Sequence, residues 1–100
     1  MSAYCVFDIR EIVDRAKMQK YREGVAASVA QFGGRYLVLG GPIEVIEGDW
    51  RPVFPVILEF PSLEQAHRWF DSEEYRELKR LRLEGSRGDA VFMQGMAPKA

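Results

Sequence analysis

The stretch VFPVILEFPSLEQAHRWF, residues 53–70, decides the fold, because one strong strand pattern leads directly into one strong helix pattern. In the first half, every second side chain is apolar, which is typical of a strand with one buried face. That face comprises Phe54, Val56, Leu58 and Phe60, and the opposite face carries Val53, Ile57 and Glu59. The apolar period then becomes helical, and the buried stripe comprises Leu63, Ala66, Trp69 and Phe70. A strand followed by a helix over its apolar face indicates a two-layer α+β domain.

A second strand and helix are predicted at the start of the chain. Residues 3–9 alternate, with Cys5 and Phe7 on one side and Tyr4 and Asp8 on the other. Asp14 then stands where an N-cap is expected, ahead of a helical apolar stripe that runs from residue 18 to residue 32. The Gly33-Gly34 pair ends this helix, because glycine enters the left-handed conformation at little cost.

Residues 35–39 are short and apolar and predict another strand. Gly40-Gly41-Pro42 breaks this strand, residues 43–46 resume as an extended segment, and Gly48-Asp49 predicts a turn. These elements lead into the strand of residues 53–60.

The second helix begins at Ser62, which has capping-box spacing with Gln65, so each side chain is expected to bond the other's free backbone N–H. Asp71-Ser72 interrupts the helix, and Ser72 caps its continuation. Residues 85–88 are predicted to form a polar loop and residues 90–94 the last strand. The order β-α-β-β-α-β predicts a ferredoxin-like fold: a four-stranded antiparallel sheet with helices on one face and the second helix broken in two.

Composition restricts the class of protein. The chain of 100 residues has the size of one domain, expected to span residues 1–96, with a C-terminal tail at residues 97–100. A net charge of -1, with both signs mixed along the chain, argues against a nucleic-acid partner. Neither a membrane-length apolar run nor a secretory leader is visible, so the expected location is cytoplasmic, with no membrane partner. Cys5 and His67 are each the single residue of their type, so no disulfide, metal-binding or cofactor-binding residues are predicted.

One face of the predicted sheet lacks a cover, because both helices lie on the other face. It carries Tyr4, Val6, Ile57 and, on one choice of face, Phe92. An apolar sheet face of this kind needs a partner, and a second copy of the chain is the simplest one, so the sequence predicts a homodimer.

The run from Phe60-Pro61-Ser62-Leu63-Glu64 through Trp69-Phe70 to Glu74-Tyr75 resembles the family called domain of unknown function 1330. Further matching stretches are Gly33-Gly34-Arg35, Glu47-Gly48 with Trp50 and Pro52, and Leu81-Arg82. The resemblance implies a dimeric α/β barrel, in which two ferredoxin-like protomers pack sheet on sheet. That superfamily includes cofactor-free monooxygenases and muconolactone isomerase, alongside haem enzymes. The family has no established activity, so the resemblance implies no catalytic residue, and fold alone does not assign function.

Asp8 and Glu59 are the candidate catalytic residues. Both lie on the uncovered sheet face, in strands that are neighbours in a ferredoxin-like sheet. In a closed dimer cleft, desolvation and mutual repulsion are expected to raise the pKa of at least one of them, which suits proton transfer. The alternative is that both form structural ion pairs, for example with Arg10 or Arg35.

Four residues are candidates for ligand binding in the same cleft: Tyr4, Trp50, Arg51 and Gln94. Trp50 and Arg51 are expected at the rim, where an indole and a guanidinium could contact an anionic ligand. The alternative is that Trp50 closes the dimer contact. Arg82 could anchor a ligand carboxylate or pair with Glu74 or Glu77.

The sequence leaves two functions open. The first is a small-molecule enzyme without a cofactor, an isomerase or monooxygenase acting on an enolisable or aromatic compound in the dimer cleft. The second is a non-catalytic module that binds a small molecule or another protein through that cleft.

Overall fold

The fold has four strands and three helices in the order β-α-β-β-α-α-β. The computed structural model describes residues 1–97, so the predicted tail, apart from Ala97, lies outside the described residues. The elements are β1 (Ala3–Ile12), α1 (Arg15–Gln31), β2 (Arg35–Leu39), β3 (Pro55–Phe60), α2 (Leu63–Phe70), α3 (Glu73–Gly85) and β4 (Ser86–Gln94). The sheet order is β2-β3-β1-β4, and every neighbouring pair is antiparallel. The predicted ferredoxin-like fold with a broken second helix is confirmed.

The three predicted N-caps are confirmed. Asp14 Oδ1 accepts from the Lys17 backbone N–H at 3.1 Å, and Ser72 Oγ accepts from Tyr75 in the same way. Ser62 Oγ accepts from Gln65, but the reciprocal half of the capping box is absent, because the Gln65 side chain donates to the Phe32 carbonyl at 3.0 Å. Gln65 thereby joins the start of α2 to the end of α1. Within residues 1–97, no helix is both long and apolar enough to cross a membrane.

One of the two irregular segments predicted between strands and helices is wrong. Residues 43–46, predicted to be extended, belong to a connection of residues 40–54, called the 40–54 connection below, that contains neither strand nor helix. The polar loop predicted at residues 85–88 does not exist, because α3 runs to Gly85 and β4 begins at Ser86. The added residues of β4 pair with an extension of β1, where Ile12 lies opposite Ser86. This pairing supplies backbone hydrogen bonds that the local sequence does not reveal.

Strand alternation is confirmed on both sides of the sheet. Cys5 lies opposite Leu58 and Phe92, and Ala3 lies opposite Phe60, so these side chains share the helix-covered face. Phe92 therefore packs under α2, with its ring centroid 5.5 Å from that of Phe70. Cys5 is completely buried, and burial raises the pKa of its thiol to about 12.

The uncovered side of the sheet is apolar, as the sequence predicts. Its residues, called the open sheet face below, are Tyr4, Val6, Ile57, Val91 and Met93, which the strand register places side by side. Val91 and Met93 are each about half exposed, at 51% and 50%.

Trp69 occupies the centre of the core. Its ring centroid lies 4.1 Å from that of Tyr75 and 5.3 Å from that of Phe60. Its indole N–H donates to Ser28 Oγ at 3.1 Å, and the Ser28 hydroxyl donates to the Val25 carbonyl. One buried side chain of α2 therefore contacts α1, α3 and β3.

We expect Trp69→Ala to lower the free energy of unfolding by about 3 to 5 kcal/mol, because it opens a cavity in the core and leaves Ser28 without its donor. Chemical denaturation measures this loss. Leu83→Ala on the exposed side of α3 is the control and should change stability by less than about 0.5 kcal/mol. A loss below about 1 kcal/mol for Trp69→Ala would contradict the central position of this residue.

Candidate functional site

A cavity of about 850 Å³ lies between the sheet and α1. Helix α1 packs mainly on α3, and α2 covers β1, β3 and β4. The cavity exists because neither arrangement places a helix directly on the β2 side of the sheet. We call it the helix-side cavity. Its apolar walls include Phe7, Val25, Leu39, Phe54, Val56 and Leu58. The sequence placed the candidate site on the opposite side of the sheet.

Three hydrogen-bonded polar side chains stand beside this apolar space. The hydroxyl oxygens of Tyr21 and Tyr75 lie 3.1 Å apart, and Arg82 Nε donates to the Tyr75 oxygen at 3.2 Å. The Arg82 guanidinium carbon lies 5.2 Å from the centroid of the Phe7 ring. Tyr21 and Arg82 line the cavity directly, and Tyr75 holds them together from the core.

Arg82 forms neither of the ion pairs that the sequence left open. Glu77 pairs with Arg80 at 2.6 Å, and Glu74 accepts from Gln31. Arg82 is only 8% exposed, and no ion pair joins it to a carboxylate within residues 1–97. The guanidinium group of Arg82 is therefore contacted by the Tyr75 hydroxyl and the Phe7 ring.

The tyrosines of the cavity are neutral donors at physiological pH. Burial, with a further contribution from Tyr75, raises the pKa of Tyr36 to about 12. Burial is also the main reason that the pKa of Tyr21 lies far above its ordinary value, and the neighbouring Tyr75 adds to this effect. Because such phenols keep their protons, they can donate hydrogen bonds to a ligand but cannot serve as bases.

Asp8 and Glu59 lie in neighbouring strands, as predicted, but the register separates them. Asp8 lies opposite Pro55, whereas Glu59 lies opposite Tyr4, four positions away. Four strand residues span about 13 Å, which is too far for two carboxylates to share a proton.

Asp8 has a structural contact that the sequence did not indicate. It is buried, and its Oδ1 accepts from the backbone N–H groups of Val53 and Phe54, both at 2.9 Å. These bonds hold the end of the 40–54 connection against β1. A catalytic role for Asp8 stays a prediction.

Glu59 makes the ion pair that the sequence considered as its alternative. Arg35 Nε donates to Glu59 Oε1 at 2.7 Å, and the Tyr4 hydroxyl donates more weakly at 3.4 Å. The hydrogen bond from Arg35 lowers the pKa of Glu59, with a smaller effect from Ser2. The expected rise in its pKa is therefore not found, and a catalytic role for Glu59 stays a prediction.

The four predicted ligand-binding residues do not meet. Tyr4 lies beside Glu59 on the sheet, whereas Trp50 is 69% exposed in the 40–54 connection. Arg51 donates to the carbonyls of Gly48 and Trp50, within its own turn. Gln94 lies opposite Ala3, so the expectation that it shares a face with Asp8 and Glu59 is wrong.

One pattern in the sequence could have indicated the helix-side cavity. Tyr75 and Arg82 are seven residues apart, two turns of one helix, and so lie on one face of α3. Tyr21 lies on the buried stripe of α1, which the sequence assigned to the core. An arginine on the apolar stripe of a helix is unusual, so this position could have indicated a binding site.

The sheet order and helix placement define a ferredoxin-like α+β protein. The chain belongs to the family described as Domain of unknown function (DUF1330), whose profile matches residues 2–96. No curated protein matches the sequence.

Solved structures share the fold at low sequence identity. A protein of unknown function from Rhodopseudomonas palustris is 14% identical with a TM-score of 0.73, over 97% of this chain and 84% of that one. A dimeric protein of unknown function with a ferredoxin-like fold, from Bacteroides fragilis, is 10% identical with a TM-score of 0.57, over 94% and 96%. SnoaB, a cofactor-independent oxygenase from Streptomyces nogalater, is 10% identical with a TM-score of 0.56, over 97% and 93%. At these identities the likeness establishes the fold alone.

We expect the free energy of unfolding to fall as the pH rises above 10, the ordinary pKa of a tyrosine. Above that pH, the unfolded chain releases phenolic protons that Tyr21 and Tyr36 retain in the folded state, so the unfolded state binds fewer protons and gains stability. Chemical denaturation across a pH series measures the decline.

Tyr36→Phe removes one of these groups and should make the alkaline decline shallower. Between pH 6 and pH 8, both proteins should show the same pH dependence, which serves as the control. An equally steep alkaline decline in both would contradict the raised pKa of Tyr36.

Proposed function

We propose that this protein binds a small apolar molecule in the helix-side cavity and acts on it as a cofactor-independent enzyme of the isomerase or monooxygenase type. The observation that carries the proposal is the cavity itself, because its volume of about 850 Å³ lies in the range of ligand sites and its walls are mainly apolar. Its only buried charge among the lining residues is Arg82. The single buried Cys5, which needs no oxidising compartment, fits the proposed cytoplasmic location.

The polar groups of the cavity suit chemistry that develops negative charge on oxygen. A fixed guanidinium and neutral phenols can stabilise an enolate or phenolate, and they do so more strongly where water is excluded. Enolisable and aromatic compounds form such anions. The likeness to SnoaB, described as a cofactor-independent oxygenase, supports this choice of chemistry.

A non-catalytic binding module is the alternative, and one observation favours it. Among the lining residues within the described part of the chain, Glu11 is the only carboxylate. Its side chain is 61% exposed and lies 3.7 Å from Arg87. The lining therefore lacks a desolvated general base, so a substrate would have to ionise with the help of Arg82 and the phenols alone. A module that only retains its ligand, or that contacts another protein through the open sheet face, needs no such base.

Binding is tested with N-phenyl-1-naphthylamine, a neutral apolar dye whose fluorescence rises in a dry pocket. Ala26 lines the cavity from an exposed position of α1, so Ala26→Trp should place an indole across the opening. We expect the dye to bind the wild type and to bind Ala26→Trp at least about tenfold more weakly. Ala27→Trp is the matched control, because Ala27 is exposed on the same helix outside the lining. Equal binding by all three proteins would contradict the proposed site.

Catalysis is tested separately from binding. Deuterium exchange at the α carbon of 2-tetralone tests the isomerase type, and oxygen consumption with 1-naphthol tests the monooxygenase type. At least one of these rates should exceed the buffer rate and fall in Ala26→Trp. Asp8→Asn and Glu59→Gln test the catalytic roles predicted from the sequence. If Glu59→Gln abolishes turnover while dye binding persists, the reaction takes place on the open sheet face. Loss of turnover in Asp8→Asn does not locate the reaction, because Asp8 also holds Val53 and Phe54, which line the helix-side cavity. Dye binding without any turnover would establish the binding module.

We further propose a homodimer that pairs through the open sheet face. The charges beside that face are already satisfied, since Glu59 pairs with Arg35 and Asp8 bonds backbone N–H groups. A two-fold axis brings the same patch of both copies together, so an apolar patch whose polar groups already have hydrogen-bond partners can pair with itself. The 40–54 connection also carries exposed apolar side chains that a second copy could cover: Ile43, Val45, Ile46 and Trp50. The dimeric, ferredoxin-like protein from Bacteroides fragilis supports this arrangement.

We expect sedimentation at micromolar concentration to show a dimer and Val91→Asp to shift it to monomer, because the substitution places a charge in the apolar contact. Leu83→Asp on exposed α3 should leave the dimer intact and serves as the control. Trp50→Ala should weaken dimerisation if Trp50 closes the contact. A monomeric wild type with one cooperative unfolding transition would overturn the homodimer.

A further inference from the structure

Arg82 is the buried arginine of the helix-side cavity, and no carboxylate within residues 1–97 forms an ion pair with it. Arg22 also lines the cavity, but it is exposed to water and donates to the Gln19 side chain. Arg10 pairs with Asp89, and Arg87 lies 3.7 Å from Glu11. Arg82 lines both the helix-side cavity and an adjoining depression of about 290 Å³, and Arg10 and Arg87 also line that depression. It is more than nine-tenths buried, yet its one hydrogen bond to a residue in the described chain is the bond from Nε to Tyr75.

Burying a charge without a counter-ion is costly, and folded proteins pair or expel such groups. Arg82 cannot lose its proton, because the guanidinium stays charged at any pH that a folded protein survives. Its position is also constrained, since Tyr75 accepts from Nε and the Phe7 ring lies against the guanidinium. The side chain is thus held in place, and its two terminal nitrogens have no acceptor in residues 1–97. No fully buried side-chain nitrogen or oxygen of these residues lacks a partner, so both terminal nitrogens reach the solvent-accessible surface.

We infer that Arg82 is the anion-recognition group of the helix-side cavity and that the cognate ligand is an apolar monoanion. This inference rests on the proposed binding function and specifies its ligand class. A planar oxyanion, carboxylate or enolate, can accept from both terminal nitrogens of a guanidinium at once. The aromatic and aliphatic walls receive the rest of the molecule.

The tyrosines of the cavity also favour an anionic ligand. Tyr21 lines the cavity with a phenol that burial keeps protonated, so it adds a donor and no negative charge beside Arg82. Glu11 lies at the exposed rim of the cavity, beside Arg87. The buried end of the cavity therefore offers donors and one positive charge, which favours an anion over a neutral or cationic ligand.

The test compares 2-naphthoate with 2-naphthamide, which share one aromatic body and differ in charge at pH 7. Each compound displaces N-phenyl-1-naphthylamine from the wild type, Arg82→Met, Arg82→Lys and Arg76→Met. We expect the wild type to bind naphthoate at least about tenfold more tightly than naphthamide, the ratio that one charge-assisted hydrogen bond supplies.

Arg82→Met should remove this preference while still binding naphthamide, and Arg82→Lys should restore part of it. Arg76 is exposed on the same helix outside the lining, so Arg76→Met should keep the full preference. Thermal unfolding confirms that each variant is folded, and the wild-type comparison decides the ligand class even if Arg82→Met does not fold.

The outcomes separate this inference from the function on which it rests. Equal affinity for the two compounds in the wild type overturns the anion assignment but leaves the cavity as a binding site. An undiminished preference in folded Arg82→Met overturns the role of Arg82. If the dye itself does not bind the wild type, the proposed function fails first.

Discussion

The structure depends on the contact between Trp69 and Ser28. The buried Ser28 hydroxyl accepts the hydrogen bond of the buried indole N–H, and the ring packs against Tyr75 and Phe60. Through these neighbours, α2 is joined to α1, α3 and the sheet at one point. Because the indole is fully buried with its polar atom satisfied, this contact contributes both apolar burial and a specific orientation of the helices.

The same contact explains where the cavity lies. Ser28 is near the C-terminal end of α1, so its hydrogen bond from Trp69 joins that end to α2, while α1 packs along α3 from Lys17 to Gln31. Gly24 permits this close approach, since a Cβ there would lie 3.1 Å from the Leu78 side chain. The β2 edge of the sheet is then left without a helix packed directly on it. Tyr75 serves both regions, because its ring packs on Trp69 while its hydroxyl holds Arg82 and Tyr21.

The two sides of the sheet therefore differ in chemistry. On the open sheet face, the carboxylates of Asp8 and Glu59 accept hydrogen bonds from backbone N–H groups and from Arg35, which leaves a mainly apolar surface suited to pairing. On the helix side, the described chain leaves one buried cation without a carboxylate partner. A surface that satisfies its own charges favours association with a copy, whereas an unneutralised charge in a cavity favours a ligand of opposite sign.

The sequence by itself determined the elements, their order and which side chains of β1 and β3 face the helices, because alternation and N-caps such as Asp14, Ser62 and Ser72 depend on neighbouring residues. It did not reveal that Ser86 begins β4, since Gly85 and Gly88 resemble a loop until β1 supplies a pairing partner. It also placed Asp8 and Glu59 in neighbouring strands, but it could not show that they lie four positions apart along those strands. It placed Gln94 on the wrong face of the sheet. Both failures arise because register is a property of the assembled sheet. The cavity and the isolation of Arg82 were decided only by the tertiary structure, since both arise from how far α1 stands from the sheet and from which carboxylates other arginines have already engaged.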